Sequence, residues 1–271
     1  MTVAISPCFP ASRWPSHLQF PTEMLGFVSP YYLFKHGLNP YSLNMALTLN
    51  EIVPWGRSYE EYRQMFALTA VELGQRILGC ADGPAAFNAG LTQRGGQVIS
   101  VDPLYAFTEP QIRDRIAATY DTILQQLQHS QADYVWTAIA SVKDLGRVRM
   151  AATTQFLADY EAGKQAGRYR PGSLPDLPFA DDHFDLALVS HFLWLYSDHL
   201  SCEFHQQSLR ELLRVAREAR LFPLLTLDCQ LSPHLSAVTA QLLRDGFTVS
   251  RQRVDYEFQR GGNEMLVVRA A

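Results

Sequence analysis

Lysine is nearly missing from this 271-residue chain. Only Lys35, Lys143 and Lys164 occur, and arginine supplies the rest of the 23 basic residues. That imbalance is read as codon bias. The formal charge of -4 disfavours a broad basic surface, so no nucleic-acid partner is expected. Cysteine is scarce and scattered: Cys8, Cys80, Cys202 and Cys229 form no C-x-x-C pair. This suggests neither a structural zinc site nor a disulfide framework, no metal is expected, and reduced thiols of a cytoplasmic protein are the simplest reading. No run approaches the roughly 20 apolar residues that span a bilayer, so no membrane partner is expected. The first 20 residues are broken by Pro7, Pro10 and Pro15 and lack the apolar centre of a signal peptide. Repeats and low-complexity tracts are absent too. What is present is core material: 47% of residues are hydrophobic and 18% charged, which excludes a mostly disordered chain.

The chain divides by texture. Residues 1–25 read as a loose arm, and 27–50 as short aromatic-rich helical pieces. Ser58 followed by Glu61 is a capping box that predicts a helix over 58–67, with a second short one over 69–75. From Gln75 a βαβ unit begins: a strand Arg76-Ile77-Leu78, the loop Gly79-Cys80-Ala81-Asp82-Gly83, and a helix from Pro84 to Arg94. A strand Val98–Asp102 completes it. Residues 104–170 read as helical, starting at Thr108-Glu109-Pro110, with apolar residues at helical spacing from Ile112 to Leu127. The later pattern is a buried strand Leu186–Val189, a helix over 201–217, a strand over 221–227 and a helix over 233–245. Two last strands, 247–258 and 264–269, are joined through Gly261-Gly262. The expectation is an α/β fold with a mostly parallel sheet and one antiparallel strand. Residues 1–70 form an N-terminal segment, and 71–271 the main domain with a helical insertion at about 104–170.

The glycine loop follows a strand, turns sharply and opens a helix, which lets a ligand approach the backbone closely. Asp102 ends the next strand, where a carboxylate can accept both hydroxyls of a ribose. Loop and acid together point to a nucleoside-containing cofactor. The dinucleotide fingerprint G-x-G-x-x-G is absent, because Ala81 fills its second glycine position, and no P-loop lysine follows.

The loop resembles the first motif of class I S-adenosylmethionine-dependent methyltransferases, with Ile77 in place of the leading acid and Ala81 in place of the middle glycine. Gly172-Ser173-Leu174-Pro175-Asp176-Leu177-Pro178-Phe179-Ala180-Asp181-Asp182-His183-Phe184-Asp185 is similar to the stretch that precedes the family's fourth strand. Ser173 and Leu174 stand where the family contacts the adenine edge. The last hairpin resembles its sixth and seventh strands. The resemblance covers about 75–103 and 171–270. Pro54–Ser58, Asp82–Asn88, Ser190–Tyr196 and Phe258–Asn263 also look like a group of bacterial methyltransferase-like proteins of unassigned substrate. It implies a Rossmann-like sheet whose last strand is antiparallel, S-adenosylmethionine as cofactor, and methyl transfer to a small-molecule acceptor. Gly79, Cys80, Ala81, Gly83, Asp102, Pro103, Ser173, Leu174 and Ser190 would then border the cofactor.

Other roles follow from chemistry. Arg57 suits the cofactor's carboxylate, or is structural. Trp55 beside it covers the cofactor or is core. His191, just past the fourth strand, is the candidate base, or a packed histidine. His199 and His205 read as surface residues, and of Phe192, Trp194 and Tyr196 two are expected in the core. Arg260 and Asn263 are acceptor-site candidates or a surface turn. The insertion is a lid or a homodimer surface. Three other readings stand beside methyl transfer: a non-catalytic cofactor-binding sensor, an aminopropyl transferase, and a nucleic-acid enzyme. The last is disfavoured by charge and by Ser190-His191-Phe192-Leu193 where an N/D-P-P-Y/F motif would stand.

Overall fold

A computed structural model describes residues 55–270. The arm and short helices expected before Pro54, and Cys8, lie outside the described residues. Helix α1 spans Tyr59–Met65, and its N-terminus carries the expected capping box between Ser58 and Glu61. Residues 69–75 hold only a 3-10 turn at Glu72–Gly74 where a short helix was expected. Strand β1 is Arg76–Cys80, helix α2 Phe87–Gln93 and strand β2 Gln97–Val101. Helices α3 (Glu109–His129) and α4 (Val142–Gln165) follow, then the two-residue strand β3, Tyr169–Arg170. The remainder is β4 Phe184–Ser190, α5 Cys202–Val215, β5 Ala216–Phe222, α6 Leu235–Arg244, β6 Phe247–Arg253 and β7 Glu264–Ala270.

These strands form one seven-stranded sheet in the order β3-β2-β1-β4-β5-β7-β6. All are parallel except β7, which runs antiparallel to both β5 and β6. The Rossmann-like methyltransferase sheet is therefore present, mostly parallel with an antiparallel last strand. The central strands are apolar on both faces because both are covered. In β4, Leu186 and Leu188 pack with Tyr62, Phe66 and Ile77, while Ala187 and Val189 pack on the other face with Leu209, Leu212 and Val238. The order reverses between β1 and β4, so the loops after these strands open a crevice at their C-terminal ends.

Three boundaries differ from the sequence reading. Helix α2 begins at Phe87, because the Ala86 N–H is held by the Arg57 carbonyl at 2.9 Å and Pro84 lies in a turn before it. Strand β5 starts at Ala216 and ends at Phe222, well before the expected 221–227. Its polar stretch enters the sheet because Arg220, 5% exposed, is neutralised by Glu218 and Glu72 and donates to the Phe66 carbonyl at 2.7 Å. Strand β6 ends at Arg253, after which Tyr256 and Phe258 turn into the core.

Candidate active site

The glycine loop leaves β1 in left-handed geometry, with φ of 57° at Ala81 and 53° at Gly83. Gly79 must lack a side chain: a Cβ there would sit 1.9 Å from the Asp82 carboxylate. That carboxylate is buried beneath the loop, accepting the Tyr62 hydroxyl at 2.8 Å and the Ser100 hydroxyl at 2.7 Å. Asp102, half-buried at the tip of β2, accepts the Gly83 N–H at 2.9 Å and the Leu104 N–H at 2.8 Å. Tyr105, just past Pro103, donates its hydroxyl to the Gly83 carbonyl at 2.8 Å. Burial pushes both acids up to about 6, against the hydrogen bonds that favour their charged forms. Cys80 is buried in the sheet core, and burial raises its thiol well above the usual range.

Most donors of the loop and the turn after it are already engaged. The Ala81 N–H goes to Val101, Gly83 to Asp102, Ala85 to Asp82 and Ala86 to Arg57. A phosphate cradle needs such groups free. A nucleoside without phosphates does not, and each Asp102 oxygen keeps a lone pair for a hydroxyl. The residues therefore fit a donor such as S-adenosylmethionine better than a dinucleotide.

The loop after β3 comes to the same edge. A Cβ on Gly172 would lie 2.9 Å from a Val101 methyl, so the chain passes close against the end of β2 just before Ser173 and Leu174. Leu174 is buried and Ser173 half-buried. On the other side of β1, Ser190 closes β4, and its hydroxyl is 2.8 Å from His191 Nδ1. His191 has a φ of 52°, its N–H is held by the Phe222 carbonyl at 2.7 Å, and its ring meets Phe222 edge-on. Burial, then the charges of Arg57 and Arg149, lower its imidazole well below the usual range, so it is neutral at neutral pH.

The segment before α1 runs along the loop. A Cβ on Gly56 would meet the Pro84 carbonyl at 2.0 Å. Arg57 donates from Nη1 to the Trp55 carbonyl at 2.9 Å, and its Nε is buried without an acceptor. Arg149, which the sequence did not single out, reaches in from α4. It is 1% exposed and pairs with Glu61 at 2.6 Å. Glu61 also accepts from Ser58 and, at 3.0 Å, from Tyr256. Burial alone would raise the Glu61 carboxyl, but Arg149 and the Ser58 N–H bring it below its usual value.

Other expected residues have structural partners. Arg260 donates to the carbonyls of Ala132 and Tyr134, and Asn263 to Glu257. Trp194 and Tyr196 are in the core, with Phe192 partly buried against it. His205 is not a surface residue but fully buried, stacked on Trp194, with both ring nitrogens 2.8 Å from carbonyls of Ser201 and Leu193. It lies four residues before Leu209 on the inner face of α5, a spacing that marks it as core. His199 is exposed.

The fold defines a Rossmann-like α/β protein of the methyltransferase sheet order, with the glycine loop, Asp102 and Ser190-His191 at its strand ends. The chain is 30% identical over 224 residues to the uncharacterized protein MJ0045 of Methanocaldococcus jannaschii, covering 82% of this chain and 98% of the relative. It belongs to that protein's family. The relative is archaeal, where the sequence pointed to a bacterial group. No family model matches the chain. Among solved structures it is similar to the PH0226 protein of Pyrococcus horikoshii, at 12% identity and a TM-score of 0.40, over 79% of this chain and 91% of that one. It is also similar to magnesium protoporphyrin IX methyltransferase of Synechocystis, solved with bound SAM, at 10% identity and a TM-score of 0.37, over 79% and 91% of the two chains. Among the described residues, no helix is long and apolar enough to cross a membrane.

Proposed function

We propose that the protein transfers a methyl group from S-adenosylmethionine to a small-molecule acceptor. The observation that carries this reading is the placement of Asp102 against the Gly83 N–H on one side of β1 and of Ser190-His191 on the other. Asp102 would accept the ribose hydroxyls, with Pro103, Ser173 and Leu174 beside the base and Gly79–Gly83 beneath. S-adenosylmethionine, when bound, supplies an electrophilic methyl group on a sulfonium. The protein's part is alignment of donor and acceptor and exclusion of water. His191 is neutral, and among the described residues nothing bonds its Nε2, so that atom can take a proton from the acceptor.

The test is calorimetry with S-adenosylmethionine and S-adenosylhomocysteine, followed by incubation of the protein and S-adenosylmethionine with a small-molecule extract. Binding with release of S-adenosylhomocysteine supports the reading. Binding without release would make the protein a sensor.

A further inference from the structure

Two arginines, Arg57 before α1 and Arg149 on α4, both act on the Glu61 carboxylate. Arg149 holds Glu61, and Tyr256 completes that pair. Among the described residues, Arg57 has no carboxylate of its own. Its one hydrogen bond among them goes to the Trp55 carbonyl, and burial, then the charge of Arg149, lower its pKa. A part-buried cation with no carboxylate partner is favoured when a counter-anion joins it.

The unused hydrogen-bonding groups point the same way. Trp55 Nε1, Arg57 Nε and Arg149 Nε are all buried and lack an acceptor among the described residues. All three are donors. A surplus of donors with a surplus of positive charge selects an anion, and the flat fork of an arginine suits a carboxylate. The centre also faces the reacting side. The Arg57 charge acts on His191, Glu61, Tyr62 and Tyr256, whereas Asp82 and Asp102 respond to burial, their own hydrogen bonds and, for Asp82, the Asp102 charge.

We infer that Arg57, backed by Arg149, binds a carboxylate of the methyl acceptor, so that the substrate is an organic acid held beside His191 by its charge. This rests on the methyl-transfer reading, and it moves Arg57 from the cofactor's carboxylate, its first assignment, to the acceptor's. Trp55 supplies a further donor and an aromatic wall. The carboxylate is a handle: it fixes which atom of the acid reaches His191.

The test uses the full chain and acetate as a minimal carboxylate, with acetamide and chloride as controls. Thermal melts are recorded with and without saturating S-adenosylhomocysteine, which carries its own carboxylate. Acetate is expected to raise the melting temperature of the wild type by a few degrees beyond either control, and to do so still when S-adenosylhomocysteine is bound. Arg57→Met should fold and lose that protection while keeping S-adenosylhomocysteine affinity within about threefold, roughly 0.7 kcal/mol. Protection no greater than with chloride would overturn the inference, as would protection retained in Arg57→Met. Protection that vanishes once S-adenosylhomocysteine is bound would return Arg57 to the donor's carboxylate and also overturn it. A wild type that takes acetate but not S-adenosylhomocysteine would instead overturn methyl transfer, and the acceptor assignment with it.

Discussion

The Asp102 carboxylate accepts the Gly83 N–H at 2.9 Å, tying the tip of β2 to a loop 19 residues earlier in the chain. A second oxygen holds the Leu104 N–H, so one side chain shapes both walls of the strand-end crevice. The acid that would hold a ribose is thus also the clasp of the glycine loop.

Asp102→Ala should therefore do two things. Hydrogen bonds to a charged group are worth about 1.5–3 kcal/mol, so S-adenosylmethionine affinity should fall roughly 10- to 150-fold. Leaving the Gly83 N–H without its acceptor should also lower stability by about 1–3 kcal/mol. Asp102→Asn should lose less of both, since its amide oxygen still accepts one bond. Calorimetry paired with denaturant titration separates the two effects.

The clasp was only half legible in the sequence. The strand-loop-helix pattern and the acid after β2 are local signals, and so are the apolar strands Ile77-Leu78 and Leu186–Val189. That Asp102 bonds Gly83 is tertiary, and no spacing announces it. Strand β5 differs from the sequence reading because Arg217–Arg220 looks like a solvated helix end, and a buried Arg220 is tolerable only with partners such as Glu72 and the Phe66 carbonyl, far away in the chain. Strand β3 has two residues, too few to show a period. Arg149 is one of two arginines on a long helix, and its importance exists only through Glu61. His205, in contrast, carried its signal in its spacing to Leu209 and Leu212.

The same carboxylate sets a pH dependence. Its folded-state value, near 6, lies above the ordinary carboxylate value of 3.8. Its contribution to folding is complete below that ordinary value and is lost as the pH rises through about 6, and Asp82 adds in the same direction. Ligand binding runs the other way, because the ionised form accepts the hydroxyls. S-adenosylmethionine affinity should fall as the pH is lowered through about 6, and Asp102→Ala should flatten that profile. Calorimetry across this range checks both signs.

His191 calls for a different substitution. At a φ of 52° an alanine would be strained, whereas asparagine tolerates the left-handed region. His191→Asn should keep S-adenosylmethionine affinity and lower turnover by about 100-fold or more, measured as S-adenosylhomocysteine release. Because the wild-type imidazole is held well below its usual value, the acid limb of the turnover profile should lie well below pH 6.5.

Arg149 tests the buried pair. Arg149→Met leaves Glu61 ionised in the interior, which should cost about 3–5 kcal/mol. Adding Glu61→Gln removes the stranded charge and should restore part of the loss. Denaturant midpoints of the single and double variants give the coupling.

The choice of cofactor is the most direct test of the whole account. Most of the loop's N–H groups are taken within the protein and each Asp102 oxygen keeps a lone pair for a hydroxyl, so calorimetry on the full chain should show binding of S-adenosylmethionine and S-adenosylhomocysteine and none of NAD. Binding of NAD with no response to S-adenosylmethionine would contradict it.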